Sequence, residues 1–165
     1  MTAAILGFLI GVVLFGGPKA GEQAPGTGHP GTETSGLTLT NTRPEGSIPV
    51  PAATLVSSPA LLALHFTKVN NPSRTGFQIF VFLSYQPAQE GAARPVRVLL
   101  GNEAFYPPDR PGGFVVRASR AFRELKAAKA TDVRLVLEMK RLHPQTPWPS
   151  VEVTVAPPEW RNETP

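Results

Sequence analysis

A side-chain period of two constrains this fold more than any other feature of the sequence. In FQIFVFLSY (77–85), every second residue is apolar or aromatic, and Phe80 and Phe82 make the opposite face apolar as well. This period predicts a β-strand, because successive side chains of a strand point to opposite sides of the sheet. Apolar residues on both faces predict a place in the centre of a sheet or beneath a neighbouring layer. The first face consists of Phe77, Ile79, Val81, Leu83 and Tyr85.

Short runs of the same kind recur along the chain. NNPSRTG (70–76) has the residues of a turn between two such runs, so a hairpin is predicted over 61–85. GNEAFYPPDRPGG (101–113) contains three prolines and is predicted to be an irregular loop. Short strands separated by turn signals predict an antiparallel β-sandwich over residues 37–157. The other runs are LTLT (37–40), LLALHFTKV (61–69), PVRVLL (95–100), GFVVRA (113–118), VRLVLEMK (133–140) and SVEVTVA (150–156).

One short helix interrupts the strands, in SRAFRELKAAKA (119–130). Ser119 is predicted to cap its N-terminus, and apolar residues recur at helical spacing. The remaining face is basic, with Arg120, Arg123, Lys126 and Lys129. This face could be an ordinary solvated surface, a contact with anionic lipid or an acidic protein, or a nucleic-acid contact.

Positive charge is concentrated in the same part of the sequence. The net charge is only +4, but residues 94–141 hold 11 Lys and Arg against five Asp and Glu. Such a surface favours acidic partners. Nucleic acid is not the expected partner, because no aromatic residues alternate with the cations as a base-stacking surface requires.

The N-terminal segment is apolar, and residues 1–17 would form about 25 Å of helix at ~1.5 Å per residue. That is near the lower limit for crossing a bilayer. A cleaved signal peptide or a soluble packing segment are the alternatives, but no basic residue precedes the apolar run and no clear cleavage site follows. We therefore predict a retained single-pass membrane anchor. Its apolar residues are Ile5, Leu6, Phe8, Leu9, Ile10, Val12, Val13, Leu14 and Phe15.

The composition beyond the anchor predicts a Gly/Pro-rich linker at 18–36 and a tail at 158–165 on either side of the sandwich. Lys19, the nearest cation, would keep the domain in the cytoplasm. Signal-like N-terminal segments instead send the following domain outward. The expected location is membrane-anchored with a periplasmic domain, and the cytoplasmic side stays open.

The sequence contains no pattern of residues typical of catalysis. Cysteine is absent, which excludes disulfides and thiolate chemistry. His29, His65 and His143 lack the spacing of metal ligands, and His65 is expected on a strand surface or in the core. No G-x-S-x-G sequence or paired carboxylates occur. We predict no enzyme activity, no cofactor, no metal and no small-molecule substrate.

Aromatic residues in proline-rich loops are the candidate contacts with other proteins. Phe105 and Tyr106 lie in EAFYPPDRPGG, and Trp148 lies between two prolines in HPQTPWPS. Amphipathic aromatics held on stiff loops make good interface anchors. The alternative is that these side chains cap the ends of the sandwich.

Residues 77–155 resemble the C-terminal β-sandwich domain of plant and bacterial polyphenol oxidases (tyrosinases). The similarity follows the order FQIFVFLSY, a polar loop, GGFVVRASRAFRELKAAKATDVRLVLEMKRL and PSVEVTVAPPEW, with Gly113–Phe114 and Phe122/Leu125 as its most specific points. In that family the sandwich covers a separate copper domain and does no chemistry. The copper domain is absent here, so the resemblance implies a sandwich that packs on another protein.

Together these features predict a non-catalytic, membrane-anchored accessory or structural subunit of a larger membrane complex, of the respiratory or photosynthetic kind. Its partners would be other protein subunits and, through the N-terminal segment, membrane lipid. The alternative is an exported, free-standing binding or chaperone-like module, for example a cap for a copper oxidase.

Overall fold

The computed structural model describes residues 36–88, 94–145 and 147–162, and these residues form nine strands and two helices. The predicted anchor and all of the predicted linker except Gly36 lie outside the described residues. In chain order the elements are β1 (Leu37–Thr40), β2 (Glu45–Pro49), α1 (Ala52–Ser57), β3 (Leu61–Asn70), β4 (Phe77–Gln86), β5 (Val96–Ala104), β6 (Gly112–Arg117), α2 (Ser119–Ala127), β7 (Thr131–Arg141), β8 (Glu152–Val155) and β9 (Glu159–Arg161).

The strands form two antiparallel sheets, which confirms the predicted mainly-β, sandwich-like class. One sheet has the order β1-β8-β3-β6, with β9 also paired to β3. The other has the order β2-β7-β4-β5. The inward faces of both sheets contribute to one hydrophobic core.

The centre of the four-stranded sheet is the pairing of β4 with β7. Ile79, Val81 and Leu83 lie opposite Met139, Leu137 and Leu135, and all six side chains are buried. From the five-stranded sheet, Leu62, Leu64 and Phe66 of β3 and Val153 and Val155 of β8 are buried in the same core. The alternation of apolar residues therefore correctly predicted which side chains of β3, β4, β7 and β8 point into the core.

The predicted hairpin over 61–85 is wrong. β3 pairs with β6, β8 and β9, whereas β4 pairs with β5 and β7, so the two strands belong to different sheets. Sheets in a sandwich lie roughly 10 Å apart, and the connection between Asn70 and Phe77 is long enough to cross that gap. A hairpin within one sheet and a connection that crosses between two sheets both need turn residues. The residues of 70–76 therefore could not distinguish the two.

Several element boundaries also differ from the sequence prediction. β5 continues to Ala104 into the predicted irregular loop, because the prolines begin only at Pro107. Ala118, not Ser119, is the N-cap of α2, and the Ser119 hydroxyl lies 3.4 Å from the Ala60 carbonyl oxygen. The short elements β2 and α1 were not predicted, since neither has enough apolar period to stand out.

Strand β9 lies within the segment predicted to be a tail. Leu62 pairs with Trp160, and the Trp160 ring meets Phe122 of α2 edge-on at 5.4 Å. The Arg161 guanidinium donates to the Glu159 carboxylate and holds the pKa of that carboxylate below its ordinary value. The domain therefore includes at least Glu159–Arg161.

Strand direction divides the connections between two ends of the domain. The connections after β1, β3, β5 and β7 meet at one end, here called the loop end, where Asn71 donates to the Pro108 carbonyl. The connections after β2 and β6 contain α1 and α2 and meet at the opposite end, the helix end, where Ala118 N–H donates to the Ala60 carbonyl. No helix within the described ranges is long and apolar enough to cross a membrane.

Replacing Trp160 with Ala tests whether β9 is part of the folded domain. The half-buried indole packs on the core, so its loss should lower the free energy of unfolding by about 2 kcal/mol, less than the ~3–5 kcal/mol of a fully buried aromatic. Chemical denaturation measures this change. The neighbouring exposed Asn162→Ala should be near neutral, and equal effects of the two variants would contradict the assignment.

Candidate interface surfaces

The predicted contact residues do not form one site. Phe105, Tyr106 and Trp148 belong to the loop end, whereas Arg120, Arg123, Lys126 and Lys129 belong to the helix end. The two ends are separated by the length of the central strands, since the ten residues of β4 span roughly 30 Å. Each end is therefore a separate candidate surface.

Phe105 is not an exposed anchor, so this part of the prediction is wrong. Its side chain is 8% exposed, stacks on Phe77 at 5.0 Å and meets Phe66 edge-on at 4.7 Å. The backbone N–H of Phe105 donates to the Phe77 carbonyl and holds the ring against the core. Phe105 thus caps the loop end, which is the alternative that the sequence left open.

Tyr106, the next residue, is 96% exposed. Its loop is fixed from both sides, because Phe105 is buried and the buried Asn71 amide donates to the Pro108 carbonyl at 2.8 Å. The Arg74 guanidinium also lies 3.0 Å from the Asp109 carboxylate in the same loop. Tyr106 is therefore a solvent-facing aromatic residue on a loop that is held in place by neighbouring residues.

Trp148 is half-buried, although it was predicted to be exposed. It packs against the core, and the Arg141 guanidinium lies 5.7 Å from its ring centroid. The Asn41 side chain donates to the Trp148 carbonyl at 3.3 Å. Much of this aromatic surface is used within the domain, so Tyr106 is the stronger candidate for a contact with another protein.

The cations of the helix end are not equivalent. Arg120 forms an ion pair with Glu124 one turn along α2, at 2.9 Å. Arg123, Lys126 and Lys129 are exposed, and their side chains have no ion pair or hydrogen bond within the part of the chain that the structure describes. The unpaired positive charge thus lies on three residues spaced three apart.

An apolar recess of about 200 Å³ lies beside these cations. Lys126 and Lys129 line it together with Leu55 of α1 and core residues of α2. Val56, next to Leu55, is 84% exposed. The helix end therefore combines an exposed aliphatic side chain with unpaired cations, a combination that sequence analysis missed because α1 was not predicted.

Phe80 and Phe82 form an aromatic pair on the outer face of the four-stranded sheet, with ring centroids 6.3 Å apart. Lys140 lies 4.8 Å from the centroid of Phe80, and Arg97 lies 5.8 Å from that of Phe82. Hydrogen bonds to the Glu45 carboxylate raise the pKa of Arg97 and fix it in this position. Long cationic side chains therefore shield this apolar face, which needs no further protein layer.

A groove of about 550 Å³ separates β5 from β6 and α2. Leu99, which is 52% exposed, lies on one side, and Arg120 and Glu124 lie on the other. The groove is open and contains charges of both signs. It is consequently a weaker candidate than either end of the domain.

No metal-binding cluster occurs among the described residues, since no three His, Cys, Asp or Glu side chains converge there. His65 is exposed on β3, as expected of a strand-surface residue, and its Nε2 lies 3.5 Å from the Glu159 carboxylate. No protein-family model matches this chain, and no curated protein matches its sequence. The resemblance to the tyrosinase C-terminal domain stays a prediction.

Neighbouring substitutions test the different environments of Phe105 and Tyr106. Phe105→Ala removes a buried ring that contacts two others and should lower the free energy of unfolding by about 3–5 kcal/mol. Tyr106→Ala should change it by no more than ~0.5 kcal/mol, as for other exposed positions. Urea denaturation of both variants measures the difference, and a large effect at Tyr106 would contradict its exposed position.

Proposed function

We propose that this chain is a non-catalytic, membrane-anchored accessory subunit that packs on and stabilises a larger membrane protein complex, respiratory or photosynthetic in kind. The main support is Tyr106, a 96% exposed aromatic side chain on a loop fixed by the buried Phe105 and Asn71. The other partners in this proposal are membrane lipid, through residues 1–17, and further protein subunits.

The geometry of the loop end suits a protein partner. An exposed tyrosine gives a large amphipathic contact surface, and aromatic side chains are enriched among the residues that dominate binding energy. A loop that is already fixed loses little conformational entropy when a partner binds. Tyr106 is therefore proposed as the central contact, with the half-buried Trp148 at the same end of the domain.

The membrane part of the proposal rests on the sequence. Ala3–Phe15 contains no charged or strongly polar side chain and is the proposed anchor, with the domain on the periplasmic side.

An exported, free-standing module is the alternative function. The resemblance to the tyrosinase C-terminal domain favours it, since such a module could cap a copper oxidase made as a separate chain. This function predicts a soluble mature protein without residues 1–17 and without a stable larger assembly. Mass spectrometry of the native protein separates the two proposals.

Substitution of Tyr106 tests the subunit proposal directly. Native membranes are extracted in mild detergent, and the particle that contains this chain is sized and its components are identified. Tyr106→Ser should weaken assembly about 30-fold, as expected for a ~2 kcal/mol contact, whereas Tyr106→Phe should retain most of the binding. The serine variant must keep the unfolding midpoint of the native chain.

Either of two results would contradict this function. Recovery of the chain only as a small soluble species that lacks residues 1–17 would support the exported module. A large particle that assembles equally well with Tyr106→Ser would keep the subunit role but exclude Tyr106 as its central contact.

A further inference from the structure

We propose that the helix end docks on an anionic lipid bilayer, with Arg123, Lys126 and Lys129 at the headgroups and Val56 at the boundary with the acyl chains. The inference rests on the membrane location in the proposed function and specifies which surface of the domain faces the lipid. Four observations on the described residues carry it.

The first observation is unpaired charge. Arg123, Lys126 and Lys129 are exposed and have no carboxylate partner within the described ranges, whereas neighbouring Arg120 is paired with Glu124. Basic residues close to an anionic membrane surface are attracted to it, and this attraction weakens as salt increases. Lys126 and Lys129 line the same recess, and Arg123 lies nearly one turn before Lys126 on α2.

The second observation is the backbone at Lys129. α2 ends in a pair of hydrogen bonds, from Ala130 N–H to the Leu125 carbonyl and from Lys129 N–H to the Lys126 carbonyl, which together define a Schellman motif. In this motif residue 129 is left-handed, with φ of 47°, and glycine is the residue that adopts this conformation without strain. The motif fixes the backbone at Lys129, so its exposed ammonium group projects from a defined position at the helix end.

The third observation is the aliphatic surface of α1 at the same end of the domain. Val56 is 84% exposed on α1, and the adjacent Leu55 lines the same recess as Lys126 and Lys129. An interfacial membrane contact combines these features, since an apolar side chain enters the headgroup boundary while basic residues contact the anionic headgroups.

The fourth observation is the distance between the two ends. Tyr106 lies at the loop end, and roughly 30 Å of strand separates that end from the helix end. Docking of the helix end on lipid therefore leaves Tyr106 available for a protein partner.

Lipid is favoured over the other acidic partners for reasons of geometry. Stacking of nucleic-acid bases requires exposed aromatic rings, but the large exposed hydrophobic side chain of α1 at this end is the aliphatic Val56. These three cations make no hydrogen bond to any described neighbour, so they are free to contact headgroups whose positions are not fixed. A bilayer requires only charge and an apolar projection.

Unique cysteines provide the test, because the chain has none of its own. Full-length Val56→Cys and Tyr106→Cys are each labelled with an environment-sensitive fluorophore and reconstituted into vesicles that contain brominated lipid as quencher. The vesicles consist of phosphatidylcholine alone or with phosphatidylserine, at low and at high salt. Ser57→Cys gives a second label position at the helix end, in case substitution of Val56 itself weakens docking.

The label at position 56 should be quenched in the phosphatidylserine vesicles at low salt and recover at high salt. Arg123→Gln, Lys126→Gln and Lys129→Gln in combination should reduce its quenching to the level in phosphatidylcholine. The label at position 106 should remain unquenched throughout. Equal quenching in the two lipids, no quenching at 56 and 57, or stronger quenching at 106 would each overturn the proposal.

Two further measurements distinguish lipid from other acidic partners, and the anchor from the helix end. They use acidic polymers and vesicle flotation. A response of the position-56 label to polyglutamate or RNA, without a response to phosphatidylserine vesicles, would replace lipid with an acidic protein or nucleic acid. Flotation of the unlabelled chain with vesicles at high salt tests the anchor alone. Loss of flotation would reject the anchor, while the quenching pattern decides docking separately.

Two substitutions at position 129 test the link between backbone conformation and docking. Lys129→Gly and Lys129→Gln both remove the charge, so both should weaken quenching of the position-56 label to the same extent. Only glycine relieves the left-handed conformation, so its variant should melt about 4 °C above the glutamine variant. Equal melting temperatures would contradict the strain at Lys129, and unchanged quenching would exclude its charge from docking.

Discussion

The register between β4 and β7 is the constraint on which the rest of the structure depends. It places Ile79, Val81 and Leu83 opposite Met139, Leu137 and Leu135 in one buried layer. A shift of β7 by one residue would turn Leu135, Leu137 and Met139 towards solvent and bury Arg134 and Glu138 in their place, because side chains alternate between the faces. The inward faces of β3 and β8 pack against the same core. The β4–β7 register therefore determines which faces of both sheets can be buried.

The same arrangement separates two surfaces of different chemistry. Strands that alternate in direction bring four connections to the loop end, where the buried Asn71 amide joins two of them. They bring α1 and α2 to the helix end, where Leu55 lines a recess with the unpaired Lys126 and Lys129 and where Val56 is exposed. Because roughly 30 Å of strand lies between the ends, the domain could contact a protein with one end and a membrane with the other.

Two features of the domain are unusual for their residue types: aromatic rings on an outward sheet face, and a lysine in a left-handed backbone conformation. Phe80 and Phe82 place aromatic rings on an outward sheet face, and Lys140 and Arg97 lie over them, so the departure is compensated within the domain. Lys129 adopts a glycine-like conformation, and no described residue pairs with its charge. The left-handed conformation also occurs at Ser58, Arg74 and Asp132, so it belongs to the turns of this domain, and the exposed charge of Lys129 is the feature that a partner could use.

The sequence by itself determined the class of fold and most of its inward faces, because the alternation in FQIFVFLSY and VRLVLEMK depends only on local geometry. It also identified the basic residues of α2 from their helical spacing. Only the tertiary structure decided that β3 and β4 belong to different sheets, that Phe105 is buried while Tyr106 is exposed, and that Glu159–Arg161 form a strand. Each of these depends on which distant segment lies alongside, and the period of a short run contains no information about its neighbour. The exposure of Val56, and the recess that Leu55 of α1 shares with Lys126 and Lys129, likewise depend on how α1 and α2 meet at the helix end.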